Sequence, residues 1–298
     1  MTFQEFIIAT FVLLDDLLKA TFGTDTPWRR RGPAPTLSDS EVLTMEIVGE
    51  FLGIDTDKGL FQFFRRHALD FFPCLAQIQR TSFVRQAARL ARVKYHLWQQ
   101  LCACLPWDGA ISVLDSFPMP VCRFARAKRC RLFRGQAAFG HDELAKQTFY
   151  GFRWHLRLGW PGVIVQLAVA PANVHDLKMV EPLLETQRAG WAVADRNYWS
   201  PEMHTHLQQQ THIQLLAPFR HASRDRTPWP RWLTHLRRRI ETVIGQLVER
   251  YRAKRIWARD LWHLASRVYR KVLSHTVALC LNLQLGHDLL QLRHLLTD

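Results

Sequence analysis

Acidic residues are scarce in this chain of 298 residues. Only 26 Asp and Glu stand against 40 Lys and Arg, which gives a formal net charge of +14. Such an excess of positive charge must be solvated, or it must face an anionic partner. Nucleic acid is the first candidate and an acidic membrane surface is the second. The simpler interpretation is a basic surface that is solvated and has no partner.

The chain also lacks the sequence patterns of proteins with structural zinc sites, of secreted proteins and of membrane-spanning proteins. Its six cysteines form no C-x-x-C pair and have no H-x(3–5)-H partner nearby, so a structural zinc site is not expected. No segment approaches the roughly 20 apolar residues of a membrane span. The apolar run 6–14 has no basic residues before it and leads into Asp15 and Asp16, unlike a signal peptide. We therefore expect a soluble cytoplasmic protein with free thiols.

The first part of the chain has the sequence pattern of helices. Hydrophobic residues make up 48% of the chain, enough for a sizeable core. Residues 1–105 show helical periodicity and no strand pattern. Ser38 and Glu41 have the spacing of a capping box, in which each side chain bonds the backbone N–H of the other residue. We predict an all-helical N-terminal domain over residues 1–107.

From residue 108 onward the pattern changes to alternating strands and helices. The predicted order is three strands, a helix, a strand, a helix, a strand and a long helix, with a tight turn between the second and third strands. This is the element order of the ribonuclease-H-like fold, in which an antiparallel hairpin is extended by parallel strands with helical crossovers. We predict a mixed α/β sheet flanked by helices as a second domain over residues 108–298.

Two aspartates follow apolar strands of this second domain. Asp115 comes after the predicted strand 111–114, and Asp195 comes after the predicted strand 191–194. Sites in α/β sheets form where strands end. If the two strands are neighbours, the two carboxylates repel each other unless a cation lies between them. Oxygen ligands of this kind suit hard divalent ions such as Mg²⁺.

Glu241 is the candidate for a third acidic ligand. It lies at the margin of the apolar stripe of the long helix that begins near Leu233. Taken singly, each acid has a simpler interpretation: Asp115 and Asp195 as turn or capping residues, and Glu241 as a solvated partner of Arg237 or Arg238. Their joint placement in this element order favours a metal-binding triad.

Five motifs in this order resemble the DDE transposases of bacterial insertion sequences. They are D-S-F-P (115–118), G-F-R-W-H (151–155), A-N-V-H-D (172–176), A-D-R-N-Y (194–198) and R-R-R-I-E-T-V-I-G-Q-L (237–247). The segment L-S-D-S-E (37–41) resembles the helical leader of one branch of that group. The resemblance covers about residues 37–282.

The resemblance implies a ribonuclease-H-like core in which Asp115, Asp195 and Glu241 bind two Mg²⁺ or Mn²⁺ ions. It implies cleavage of DNA at terminal inverted repeats and joining of the freed 3′-OH to a target strand. It also implies a helical N-terminal domain that binds double-stranded DNA, a homodimer on DNA, and a place at the bacterial nucleoid. One departure is Val248, where related elements often have Lys; Lys254 and Arg255 are the candidates to replace that Lys.

Two basic tracts border the proposed site. Residues 123–134 contain six Lys or Arg and no acid, and residues 220–271 contain fifteen against four acids. Tracts of this kind suit a DNA backbone, with binding that weakens as salt rises. The candidate DNA contacts are Arg123, Arg126, Lys128, Arg129, Arg131, Arg153, His155, Arg237, Arg238, Lys254 and Arg255.

Some of the nearby side chains have open assignments. His155 either approaches a phosphate or is a buried histidine of the sheet. For His175 and Asp176 a helix-capping role is favoured over a direct role. Trp229 and Trp232, beside the basic loop, are candidates to stack on an unpaired base.

Two rival functions share much of this pattern. A structure-selective nuclease of the same fold would release cut DNA without joining it. A catalytically inactive DNA-binding regulator would bind DNA without divalent ions and cleave nothing.

Overall fold

The structure, a computed structural model, describes residues 1–23, 34–218, 230–255 and 257–297. The helices in these ranges are α1 (Phe3–Phe22), α2 (Asp39–Phe51), α3 (Asp57–His67), α4 (Arg80–Arg89), α5 (Ala91–Cys104), α6 (Val180–Leu184), α7 (Pro201–Thr211), α8 (Arg231–Glu249) and α9 (Leu261–Gln284). The strands are β1 (Asp108–Pro120), β2 (Ala138–Asp142), β3 (Gln147–Trp160), β4 (Val163–Pro171), β5 (Gly190–Val193) and β6 (Ile213–Leu216). Among the described helices, none has both the length and the apolar character that a membrane span requires.

The chain divides into two compact units. The helical unit consists of Met1–Leu105 together with Leu247–Asp298, and the sheet unit consists of Pro106–Gln246. The sequence prediction placed one boundary after residue 107 and assigned all later residues to the second domain. The structure corrects the second part of that prediction, because α9 packs against α2 and α5 of the helical unit.

The predicted capping box at the start of α2 is present. The hydroxyl of Ser38 accepts the backbone N–H of Glu41 at 3.1 Å, and the Glu41 carboxylate accepts the backbone N–H of Ser38 at 2.6 Å. Together these bonds satisfy two donors that would otherwise lack partners at the helix end. The sequence therefore located the start of α2 correctly.

A buried network of charges joins three helices of the helical unit. The Nζ of Lys94 on α5 lies 2.6 Å from the carboxylate of Glu46 on α2. Arg270 and Lys271 on α9 contact Glu50 of α2 at 2.5 and 2.7 Å. All five side chains are at most 2% exposed. Because a buried charge without its partner is strongly destabilising, this network constrains how α2, α5 and α9 pack.

The sheet unit is built on one mixed sheet. Its strand order is β2-β3-β1-β5-β6, and β4 also pairs with β3. Strands β1, β2 and β4 run antiparallel to β3, while β1, β5 and β6 are parallel. Apolar residues of α6, α7 and these strands form the core on one face, including Val180, Leu183, Leu207 and Ile213. The predicted fold class, a ribonuclease-H-like mixed sheet flanked by helices, is confirmed.

Two strands differ from the sequence prediction. β1 does not end at Leu114 but continues to Pro120, because its residues from Ser112 onward pair with β3 in an antiparallel register. Asp115 therefore lies within a strand rather than at its tip. β2 was not predicted, since its five residues include a glycine and have no buried side chain.

Candidate active site

Asp115 and Asp195 lie beside each other because of the register of two parallel strands. The pairing of β1 with β5 ends with Val113 opposite Val193. Each aspartate comes two residues after its member of this last pair. Since side chains two residues apart in an extended chain share a face, the register directs both carboxylates to the same side. The strand-end prediction is confirmed for Asp195; for Asp115 it is wrong, because this residue lies within β1, just beyond the end of the pairing with β5.

The environment of this pair disfavours two negative charges. Burial raises the pKa of Asp115 to about 7, and the neighbouring charge of Asp195 adds to the rise. Burial also raises the pKa of Asp195, with the charge of Asp176 in the same direction. A backbone N–H opposes each shift: Ser116 donates to Asp115 at 2.7 Å and Asn197 donates to Asp195 at 2.9 Å. The pair therefore holds a proton near neutral pH, or it requires a cation.

Asp176 is a buried acid near this pair, and the sequence favoured a capping role for it over a direct role. The sequence predicted a capping role for His175 and Asp176, but only His175 caps, accepting the N–H of Leu177 at 3.2 Å. The Asp176 carboxylate accepts the hydroxyl of Ser116, the residue next to Asp115, at 2.8 Å. Its charge raises the pKa of both catalytic candidates. The signal available in the sequence was its position as the last residue of the motif A-N-V-H-D.

Tyr198 is also buried in this region. Its side chain is fully buried, and its hydroxyl has no hydrogen-bond partner within the described part of the chain. Burial raises its pKa well above the usual value, and the charges of Asp176, Asp115 and Asp195 act in the same direction. The negative charges of all three acids therefore disfavour ionisation of this hydroxyl. Like Asp176, it is the last residue of a motif, A-D-R-N-Y, and the sequence assigned it no role.

Glu241 is not part of the acidic cluster that the structure assembles. Its side chain is exposed on α8 and forms no hydrogen bond or ion pair within the described ranges. Arg237 lies one turn earlier on α8, and its charge lowers the pKa of both Asp115 and Asp195. Residues four apart share a helix face, so Glu241 lies on the side of α8 that carries Arg237. In the described ranges, no three His, Cys, Asp or Glu side chains are close enough to hold a metal ion.

Comparison with known proteins identifies the family. A family model described as a transposase DDE domain matches residues 107–256, half of the chain. The chain belongs to the DDE transposase family. The matched segment contains Asp115, Asp176, Asp195 and Glu241.

Two relatives show how far the likeness extends. The transposase for insertion sequence element IS1106 of Neisseria meningitidis serogroup B is 33% identical over 140 residues. That match covers 45% of this chain and spans just under half, 46%, of the relative's length. A cryo-EM structure of a piggyBac transposase synaptic complex with hairpin DNA covers 99% of this chain and 79% of its own, with a TM-score of 0.51 at 9% identity. At that identity the likeness is one of fold.

The basic tract of the DDE domain is largely exposed, as a DNA-binding surface would be. It lies on the 3₁₀ turn Phe124–Arg129 and the residues beside it. Five of the candidate DNA contacts are exposed there: Arg123, Arg126, Lys128, Arg129 and Arg131.

The remaining candidate DNA contacts lie in different environments. Arg153 is tied to the protein by donating to Ser116 at 3.2 Å and to the carbonyl of His141 at 2.8 Å. Arg237 faces the aspartates, and Arg238 lines a cleft of about 330 Å³ with Arg231, Thr234 and His235. Lys254 and Arg255 belong to the helical unit.

His155 is removed from the list of DNA contacts. Its ring is fully buried on β3, and neither ring nitrogen has a hydrogen-bond partner within the described part of the chain. Nδ1 lies 3.5 Å from the Asp176 carboxylate. Burial lowers its pKa to about 4, although the charge of Asp176 opposes the shift. A neutral imidazole with no exposed surface cannot contact a phosphate.

The aromatic candidates divide between described and undescribed parts of the chain. Trp229 and the basic loop 219–229 lie outside the described residues. Trp232 is 50% exposed at the start of α8, and its ring lies 5.8 Å from that of Trp191, which is 42% exposed. Trp232 therefore presents an exposed aromatic surface, and its stacking on an unpaired base stays a prediction.

Proposed function

We propose that this chain is a DNA transposase that cleaves the terminal inverted repeats of a mobile element and joins the 3′-OH ends to target DNA. The observation that carries the proposal is the half-buried pair Asp115 and Asp195, aligned by the register of β1 and β5 in a chain of the DDE family. Burial and mutual repulsion raise the pKa of both acids. The two acids thus repel each other at one place in the sheet, where the parallel pairing of β1 and β5 ends.

We further propose that the pair works with two Mg²⁺ or Mn²⁺ ions. The donor set fits such ions, since two carboxylates that repel each other offer hard oxygen ligands at one point. Glu241 would complete the set, because its carboxylate has no other partner among the described residues and lies on the Arg237 side of α8. Bound divalent ions relieve negative charge on the attacking and leaving oxygens of an in-line phosphodiester displacement.

The residues of the chain itself would orient the reaction. The backbone N–H groups of Ser116 and Asn197 hold the two carboxylates in place. Arg237 supplies a positive charge beside them, where the phosphate of the scissile bond would carry negative charge. Such a site needs no Ser, Cys or Tyr nucleophile, so water is proposed as the first nucleophile and the DNA 3′-OH as the second.

The charge distribution supports DNA as the partner. The exposed basic tract from Arg123 to Arg131 and the cleft beside Arg238 offer cations to the phosphates of double-stranded DNA. The helical unit is proposed to bind the element ends, and a homodimer on DNA is proposed to bring two ends together. The location proposed is the bacterial nucleoid, where the six free cysteines would stay reduced.

The test is strand cleavage by the full chain on DNA that carries the inverted repeats flanking its gene. Asp115→Asn, Asp195→Asn and Glu241→Gln are each expected to abolish cleavage while DNA binding persists. Asp108→Asn is the matched control, because Asp108 is an exposed acid of the same strand. Full activity of Asp115→Asn or Asp195→Asn would end the proposal.

A binding-only function is the second candidate, and the exposed position of Glu241 favours it. In that case the purified chain would bind the repeats equally well with or without a chelator and would cleave under no divalent ion. A strand-joining assay separates the remaining rival, since a nuclease of this fold would give cut DNA without joined product.

A further inference from the structure

One segment of the helical unit contains no acidic residue at all. From Phe71 to Trp107 the sequence has no Asp or Glu, although it contains Arg80, Arg85, Arg89, Arg92 and Lys94. Lys94 is buried and is paired with Glu46 of the same unit. The four arginines have no counter-charge within their own segment. This segment forms α4 and α5.

The ten-residue helix α4 has two sharply different faces. Phe83 and Ala87 are buried and hold one face against the unit. The opposite face, which we call the α4 outer face, consists of exposed side chains: Thr81, Ser82, Arg85 and Arg89.

The two arginines of the α4 outer face are unpaired. Arg85 and Arg89 are one helical turn apart, where like charges repel. Neither side chain forms a hydrogen bond or an ion pair within the described ranges. A face of this kind, in a segment free of acids, is complementary to an anionic surface.

α4 is fixed to the unit by side chains from three other parts of it. Gln86 on α4 donates to the carbonyl of Leu37 at 2.9 Å and to the carboxylate of Asp39 at 2.8 Å. Trp262 donates to the carbonyl of Ala88 at 2.8 Å, and Lys94 donates to the carbonyl of Ala87 at 3.0 Å. These bonds hold the helix in place while its outer face stays exposed. A rigidly held helix loses little conformational entropy when it binds a partner.

We propose that the α4 outer face is the surface of the helical unit that docks on duplex DNA at the element ends, with Arg85 and Arg89 on backbone phosphates. The inference rests on the proposed function for the identity of the duplex. A helix of this length with short polar side chains near its start has the dimensions to enter a major groove. Thr81 and Ser82 lie in the first turn of α4, where a docked helix contacts base edges.

The experiment measures the affinity of the full chain for a terminal-repeat duplex and for a scrambled duplex over a range of salt concentrations. The variant is the double substitution Arg85→Gln and Arg89→Gln. The matched control is Arg66→Gln with Arg293→Gln, which removes the same charge from two exposed arginines of the same unit. Thermal melting of both variants checks that each remains folded.

The α4 variant is expected to bind the terminal repeat at least about tenfold more weakly near 0.1 M salt. The slope of log affinity against log salt should fall by roughly 1.8, since each phosphate contact contributes about 0.9. The control should keep its slope. If the α4 variant binds like the control, the docking surface is overturned, and cleavage by the wild type would show that the proposed function survives. If the wild type neither prefers nor cleaves the terminal repeat, both proposals fail together.

Discussion

Ser116 links Asp176 to Asp115. Its hydroxyl donates to the Asp176 carboxylate at 2.8 Å, while its backbone N–H donates to the Asp115 carboxylate at 2.7 Å. A residue from the loop after β4 thus fixes the side chain next to the first acid of the pair. The geometry gives Asp176 a positioning role. The negative charge of Asp176 also adds to the repulsion between Asp115 and Asp195.

Replacement of Asp176 should therefore impair the site without unfolding the protein. Asp176→Asn keeps the shape but makes the hydrogen bond from Ser116 weaker. Loss of a residue that orients a metal ligand typically lowers activity or metal affinity by about 10–100-fold. We expect the strand-cleavage rate to fall by such a factor, and the Mn²⁺ concentration that gives half of the Mn²⁺-induced thermal shift to rise by such a factor. Asp108→Asn should change neither, and wild-type values for Asp176→Asn would contradict the positioning role.

The raised pKa of Asp115 predicts a pH-dependent cost to stability. The pKa is about 7 in the folded chain, against 3.8 for the ordinary group. Between these values the folded state binds the proton and the unfolded state does not, so stability from this group is fully present below pH 3.8 and is lost as pH rises through 7. Asp115→Asn removes the ionisation, and in EDTA it should raise the melting temperature more at pH 8.5 than at pH 5.

The partial exposure of Asp115 keeps this effect well below the full value of its pKa rise. A gain of about 1 kcal/mol raises the melting temperature by roughly 2–4 °C for domains of 150–250 residues. Thermal denaturation of both proteins at the two pH values measures the difference directly. An equal difference at pH 5 and pH 8.5 would show that the Asp115 carboxyl does not titrate in this range.

Local signals in the sequence predicted much of the fold. The capping box at Ser38 and Glu41 located α2, because capping depends only on residues three positions apart. The strand patterns of β3 and β4 and the tight turn between them located a hairpin, because the two strands are close in the chain. The same reasoning placed Asp195 correctly after β5. These predictions rest on contacts that are close in the chain.

Other features depend on contacts that are distant in the chain, and the sequence did not show them. Asp176 bonds Ser116, which is 60 residues away. α9 joins the N-terminal helices through ion pairs such as the one between Arg270 and Glu50, which are 220 residues apart. For His155 the sequence left a phosphate contact and a buried position both open, and the structure shows the buried one, because both faces of β3 are covered there. In each case the residue spacing along the sequence does not show which residue is the partner.

The buried charge network of the helical unit predicts a large loss of stability when one partner is removed. Lys94→Met would leave Glu46 in a buried position with only the longer contact from Arg270 at 3.3 Å. Breaking a buried pair in this way costs about 3–5 kcal/mol. Chemical denaturation of the full chain should show this loss. Lys58→Met removes an exposed lysine of α3 and should stay within about 0.5 kcal/mol of the wild type. A similar small effect for Lys94→Met would mean that the network contributes little.

Glu241 allows a metal-binding role to be separated from a structural role. Because its side chain is exposed and unpaired among the described residues, Glu241→Gln should leave the melting temperature in EDTA unchanged. A ligand bound only by the folded state adds about 2.7 kcal/mol when its concentration is 100 times the dissociation constant. The wild type should show such a shift in Mn²⁺, and Glu241→Gln should lose most of it together with cleavage. If Glu241→Gln keeps the full Mn²⁺ shift while Asp195→Asn loses it, Glu241 is not a ligand, and the ions are held by Asp115 and Asp195 alone.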